Sequence, residues 1–195
     1  GRTGEWFAST LYDAEPDIIT MAKGLTGSYQ PLAATTVTEA VADHFEDELL
    51  NQGHTFSGHP VACAAGVAAI ETYEEEQLVA NAREMGAYLR GELESLADRH
   101  PSVGERRGVG LHQGLELTRS ETERVPFEER SDKVSSRQTV LDEVGAHALE
   151  NGVYFYTSVN TIVVTPPLTI TTEEVDEAIA ALDEALAIAD AAMDG

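Results

Sequence analysis

The chain has 195 residues, 42% of them hydrophobic, with 35 acidic residues against 12 basic ones and a formal net charge of -23. Nucleic acid and anionic membrane surfaces would be repelled by that charge, and the apolar content is too high for a disordered chain. The single cysteine, Cys63, excludes a disulfide framework within the chain and reads as a small buried apolar residue.

The acids are spread through the helices rather than massed in a tail, and Lys23 and Lys133 are the only lysines. Molar salt makes such self-repulsion tolerable by screening it over short distances. The composition therefore points to a halophile, with an ordinary acidic protein as the alternative. No signal peptide and no apolar run of transmembrane length is present, so a soluble cytoplasmic protein is expected.

In chain order, residues 1–4 read as a polar turn. Trp6, Phe7 and Leu11 then form an apolar patch before an acidic loop at 13–17. Residues 18–22, bounded by Pro16 and a glycine-rich loop, predict a short buried strand with Lys23 at its end. Residues 33–37 predict a second strand and 39–50 a helix. Residues 53–60 form a loop, and Pro60 suits the first position of a helix running to Ile70. Alanines and Gly66 leave that helix open to close approach.

From Leu78 a long amphipathic helix is expected, because Leu78, Ala82, Met85, Leu89, Leu93 and Leu96 recur every three or four residues. Pro101 ends it. Residues 106–110 read as a turn, 111–117 as a strand, and 118–132 as a charged surface excursion broken at Pro126. A helix over 133–150 follows, with Val134, Val140, Leu141, Val144 and Leu149 apolar. Residues 154–156 and 161–165 are β-rich. Thr171 and Glu174 have capping-box spacing ahead of a helix whose stripe is Val175, Ile179, Leu182 and Leu186. Helices mixed with strands after residue 77 predict an α+β lobe, with a boundary near Glu76 and no internal repeat.

Chemistry centres on Lys23. Apolar surroundings disfavour an ammonium, which suits a lysine that must attack a carbonyl. The other reading is a snorkelling lysine that covers a strand end, and spacing alone leaves both open. Thr55, between Gly53 and Gly58, combines a hydroxyl with turn N–H groups, as an anion nest does; alternatively Thr55 and Ser57 cap the Pro60 helix. His54 and His59 lack a third ligand at useful spacing, so no metal is expected. His44, His100, His112 and His147 read as surface or hydrogen-bonded structural residues, and Arg2 as structural.

Three motifs carry a resemblance: Gly1-Arg2-Thr3-Gly4-Glu5-Trp6-Phe7, then Glu15-Pro16-Asp17 running into Ala22-Lys23-Gly24, then Gly53-His54-Thr55-Phe56-Ser57-Gly58-His59-Pro60. In order and spacing the chain resembles the class III (omega) aminotransferases, which use pyridoxal 5'-phosphate and have the α/β fold type I architecture. The resemblance covers essentially the whole chain but only the family's C-terminal half. It implies residues 1–76 as the C-terminal part of the large cofactor-binding domain and 77–195 as the small C-terminal domain. It also implies that Lys23 binds the cofactor covalently and serves as general acid and base. Thr55 then contacts the cofactor phosphate from the neighbouring subunit of a homodimer or dimer-based oligomer, with His54 beside it.

The activity implied is transfer of an amino group from an amine or amino acid to a 2-oxo acid or aldehyde. The alternatives are an aminomutase or decarboxylase of the same superfamily, or a non-catalytic interaction module. Tyr156 stands where many relatives carry a carboxylate-binding arginine, and a phenol cannot make that bidentate pair. Tyr156 is thus a candidate substrate contact, or a packed aromatic at a strand end. The aspartate that pairs with the pyridine nitrogen in the family lies upstream of Gly1, so the chain alone is expected to be an incomplete enzyme.

Overall fold

A computed structural model of the protein describes residues 1–129 and 138–193. The chain divides into two compact units, one of Gly1 with Glu5–Val79 and one of Arg2–Gly4 with the chain from Ala80 onward.

The first unit holds α1 (Ala8–Leu11), β1 (Ile18–Met21), β2 (Ala34–Val37), α2 (Glu39–Asp43) and α3 (Pro60–Glu75), with a 3-10 turn at Lys23–Leu25. Strands β1 and β2 pair antiparallel, with Ile18 opposite Val37 and Met21 opposite Ala34. Against expectation β1 is not a buried strand: its residues alternate between exposed and half-buried, and Ile18 is 55% exposed. Among the described residues β2 is its one hydrogen-bonded neighbour, and neither face is fully covered.

The helix expected over 39–50 stops at Asp43. Phe45 and Glu46 continue with three-residue turn bonds to Ala42 and Asp43, and Phe45, Leu49 and Leu50 stay exposed. A helix this short is held by packing, and this one has no buried residue to hold it. Helix α3 is longer than expected and buries Ala62 and Gly66, one turn apart. Cys63 lies one position round from that line and is exposed, which corrects the expectation of burial.

The second unit contains α4 (Leu78–Arg99, its first residues belonging to the first unit), β3 (Val103–Val109), β4 (His112–Leu117), α5 (Val140–Glu150), β5 (Tyr156–Ser158), β6 (Thr161–Val164) and α6 (Thr172–Ala191). Its antiparallel sheet has the order β3-β4-β6-β5. Leu115 pairs with Ile162 and Gln113 with Val164, so alternate residues of both central strands face one way. On that face Leu115, Leu117, Ile162 and Val164 join Ala82, Met85, Leu89, Leu93 and Leu96 of α4, Leu141 and Val144 of α5, and Val175, Leu182 and Leu186 of α6 in one core.

Strand β3 occupies residues expected to include a turn; its glycines and three charged residues give no apolar alternation, and β4 supplies the pairing. Residues 118–129 are anchored rather than a loose surface excursion. The Thr118 hydroxyl lies within hydrogen-bond reach of three carbonyls, Asn160 Oδ1 accepts from the Phe127 N–H, and buried Glu128 accepts from the Leu141 N–H at the start of α5. The expected helix over 133–150 is seen as α5, starting at Val140 behind a Thr139–Asp142 capping box; Lys133 and Val134 lie outside the described residues. Strand β5 runs two residues later than expected. The Thr171–Glu174 box closes on α6 as its spacing predicted.

Candidate functional site

Strand β1 ends at Met21 and the chain turns at once. Lys23 takes φ +56°, a left-handed conformation that costs a residue with a side chain free energy unless its surroundings enforce it. Those surroundings are visible. The Lys23 carbonyl accepts from the N–H groups of Thr26 and Ser28, at 3.2 and 3.3 Å, and the Leu25 N–H donates to Ala22. Thr26 lies beneath the turn and is 1% exposed, whereas the Lys23 side chain is exposed. A primary amine is thus displayed at the end of a short apolar strand, on backbone that only its neighbours keep in place.

The second candidate segment is the loop before α3. Thr55, Phe56, Ser57 and Gly58 form a turn in which the Ser57 N–H donates to His54 and the His59 N–H to Phe56. Helix α3 has His59 as its N-cap, with no side-chain cap bond, and Pro60 in its first turn. Thr55 and Ser57 therefore do not cap the helix. Among the described residues the N–H groups of Thr55, Phe56 and Gly58 carry no hydrogen bond. Gly58 has φ +68°, and space is open beside it and beside Gly53. The turn presents a hydroxyl and several N–H donors to an anion.

The chain thus displays an exposed amine and, separately, a turn with a hydroxyl and N–H donors. His54 is exposed and contributes its carbonyl to the turn rather than a visible side-chain contact.

Tyr156 opens edge strand β5 of the second unit, opposite Val163, and is 56% exposed. Arg2 is structural, as expected: its guanidinium donates to the Pro166 carbonyl at 2.6 Å and its own carbonyl accepts from the Leu111 N–H. His100 is the buried histidine, with its ring nitrogens 2.6 Å from Asp183 and Asp190 carboxylate oxygens. The hydrogen bond to His100, helped by Arg99, holds the Asp183 carboxyl below the usual carboxylate range. Among the described residues no cluster of His, Cys, Asp and Glu is arranged to hold a metal. No helix among them is long and apolar enough to cross a membrane.

Sequence reasoning named Lys23, Thr55 and the close approach allowed at Gly66, but not Thr26, which closes the lysine's turn; no periodicity marks it, because its role lies in backbone geometry.

Residues 1–186 match the family model described as aminotransferase class-III. The chain is 39% identical over 194 residues to a diaminobutyrate–2-oxoglutarate transaminase of Halomonas elongata, covering 95% of this chain and 40% of that protein. It is 36% identical over 186 residues to a putrescine–pyruvate aminotransferase of Pseudomonas aeruginosa, covering 92% and 38%. Among solved structures, a taurine:2-oxoglutarate aminotransferase from Bifidobacterium kashiwanohense, in complex with PLP and glutamate, superposes with a TM-score of 0.90 at 35% identity. That match covers 99% of this chain and 42% of that one. The chain thus spans about two-fifths of the length of the curated relatives it matches. Its mixed α/β architecture is that of the fold type I transferases.

Proposed function

The chain belongs to the class III aminotransferase family, and from that premise we propose that the polypeptide carrying it transfers an amino group from an amine or amino acid to a 2-oxo acid or aldehyde, using pyridoxal 5'-phosphate. The observation that carries the reading is the exposed amine of Lys23 on left-handed backbone at the end of β1. Strained backbone of this kind concentrates where a side chain must be aimed.

Lys23 Nζ would hold the cofactor through its aldehyde carbon, and as a free amine it would move a proton off the substrate carbon that bears nitrogen. Bound pyridoxal phosphate supplies an electron-accepting ring that stabilises the charge left on that carbon. The Thr55 hydroxyl and the free N–H groups of its turn receive the phosphate, with His54 lending its backbone. Tyr156 offers a neutral phenol toward substrate, so a substrate carboxylate needs another cation. We assign residues 1–76 to the C-terminal part of the large domain and 77–195 to the small domain.

We further place Thr55 against the cofactor of a partner copy, in a homodimer. Phe56, Val61, Val67 and Ile70 follow one another along this loop and α3, all at least 42% exposed, and so much apolar surface favours an interface. The acid excess and scarcity of lysine support a halophile's cytoplasm.

The test uses the whole polypeptide in molar potassium chloride with pyridoxal phosphate. Wild type should bind the cofactor with a shifted absorbance band, convert one class of amino donor, and form the matching amino product from a 2-oxo acid. Lys23→Ala should show neither the band nor the product. A wild type that binds no cofactor refutes the reading, and one that releases carbon dioxide or isomerises the donor replaces it with decarboxylase or aminomutase activity.

A further inference from the structure

The turn that displays Lys23 is not held by the lysine's own side chain. Three residues between Lys23 and Ser28 inclusive have positive φ: Lys23 at +56°, Gly27 at +57° and Ser28 at +66°. A loop with this much left-handed backbone needs a clamp to stay in one conformation. The clamp is Thr26. Its side chain is buried, and its hydroxyl donates to the Gln30 carbonyl at 2.6 Å, closing the loop on itself. Its N–H reaches back to the Lys23 carbonyl. A neutral hydroxyl fully withdrawn from water is retained at a cost unless its bond is made, so this one specifies a geometry.

Helix α3 supplies the floor. At Gly66 an added methyl would stand 3.1 Å from Leu32 Cδ2, 3.6 Å from the Leu25 carbonyl and 3.9 Å from Thr26 Cγ2. Glycine there lets the turn rest on the helix backbone. Two turns along the same helix, the Tyr73 hydroxyl stands 3.1 Å from where a side chain on Gly24 would begin, and the Tyr73 ring packs on Trp6 with centroids 5.7 Å apart. The residue next to the lysine is therefore bounded from α3 as well.

We infer that Thr26 is a positioning residue for Lys23: its buried hydroxyl clip, seated over Gly66, fixes the left-handed backbone from which the amine reaches the cofactor. The inference rests on the assignment of Lys23 as the cofactor lysine, but the clip itself is a property of the backbone. Val matches Thr in shape and lacks the hydroxyl, and Ser keeps the hydroxyl without the methyl.

The experiment compares wild type, Thr26→Val and Thr26→Ser in the whole polypeptide. Attachment of pyridoxal phosphate to Lys23 is fixed with borohydride at timed intervals and read as a mass shift on the Lys23 peptide. Amide exchange across residues 25–29 is recorded on the cofactor-free protein. Thr26→Val should slow attachment about tenfold, the size expected for loss of one buried hydrogen bond, and speed amide exchange in the loop. Thr26→Ser should restore both to near wild type. Equal attachment rates in wild type and Thr26→Val, with only the melting temperature lowered, overturn the positioning role, as does a Thr26→Ser variant no better than Val. If wild type itself attaches no cofactor at Lys23, the site assignment fails separately. The exchange data then decide the clip, and unchanged exchange in Thr26→Val refutes it.

Discussion

Lys23 is where conformational strain and chemical purpose meet. An L-residue in the left-handed region is disfavoured by about 1 kcal/mol relative to glycine, so in cofactor-free protein Lys23→Gly should be more stable in urea unfolding than Lys23→Ala by about that free energy, although neither can attach the cofactor covalently. Equal midpoints would mean that the turn stores no strain. A second residue-scale consequence concerns acid. The Asp183 carboxyl is held below its usual range first by its hydrogen bond to His100 and then by Arg99. A folded-state value below the unfolded one contributes stability that is complete above about pH 4 and disappears as pH falls through the folded value. Asp183→Asn should therefore flatten the acid limb of the stability curve, as measured by denaturant midpoints across pH. Neither effect was legible in the sequence. The motif around Lys23 named the residue, but a φ angle follows from how Thr26 and Gly66 seat the turn, and the Asp183 contact joins residues 83 positions apart.

At the scale of elements, periodicity told most where packing obeys one face. Helix α4 buries Ala82, Met85, Leu89, Leu93 and Leu96 as its spacing predicted, and the Thr171–Glu174 box starts α6. Periodicity was silent where partners decide. Strand β3 is an edge strand made regular by β4, and α2 ends early because no neighbour covers Phe45 or Leu49. Helix α4 also carries two glycines with opposite expectations. A methyl at Gly86 would lie 2.5 Å from the backbone of Gly110, whereas at Gly91 it would meet nothing within 4 Å. Gly91→Ala should stabilise by up to about 1 kcal/mol through helix propensity. Gly86→Ala should destabilise by about 2 kcal/mol because backbone cannot step aside as a side-chain tip can. Thermal melts of the pair, made in one background, would show shifts of opposite sign; a stabilised Gly86→Ala would contradict the close approach of the turn between β3 and β4.

For the whole molecule, burial is unevenly shared. The second unit owns the continuous apolar core, while Thr26, Ala62 and Gly66 are the buried residues of the first among those described. Local opening should follow that imbalance. Limited proteolysis of this chain should cut first within residues 10–60 and leave a resistant piece beginning near Ala80, identified by mass; early cuts inside α4 or α6 would refute it. The exposed amine of Lys23 also governs how the protein can be handled. With Lys133 the only other lysine, amine-reactive dyes, fixatives or resins will be drawn to the very group proposed to hold the cofactor. Coupling through amines would then silence the sample it was meant to display. The exposed thiol of Cys63, unique in the chain, offers a single anchoring point of different reactivity on α3.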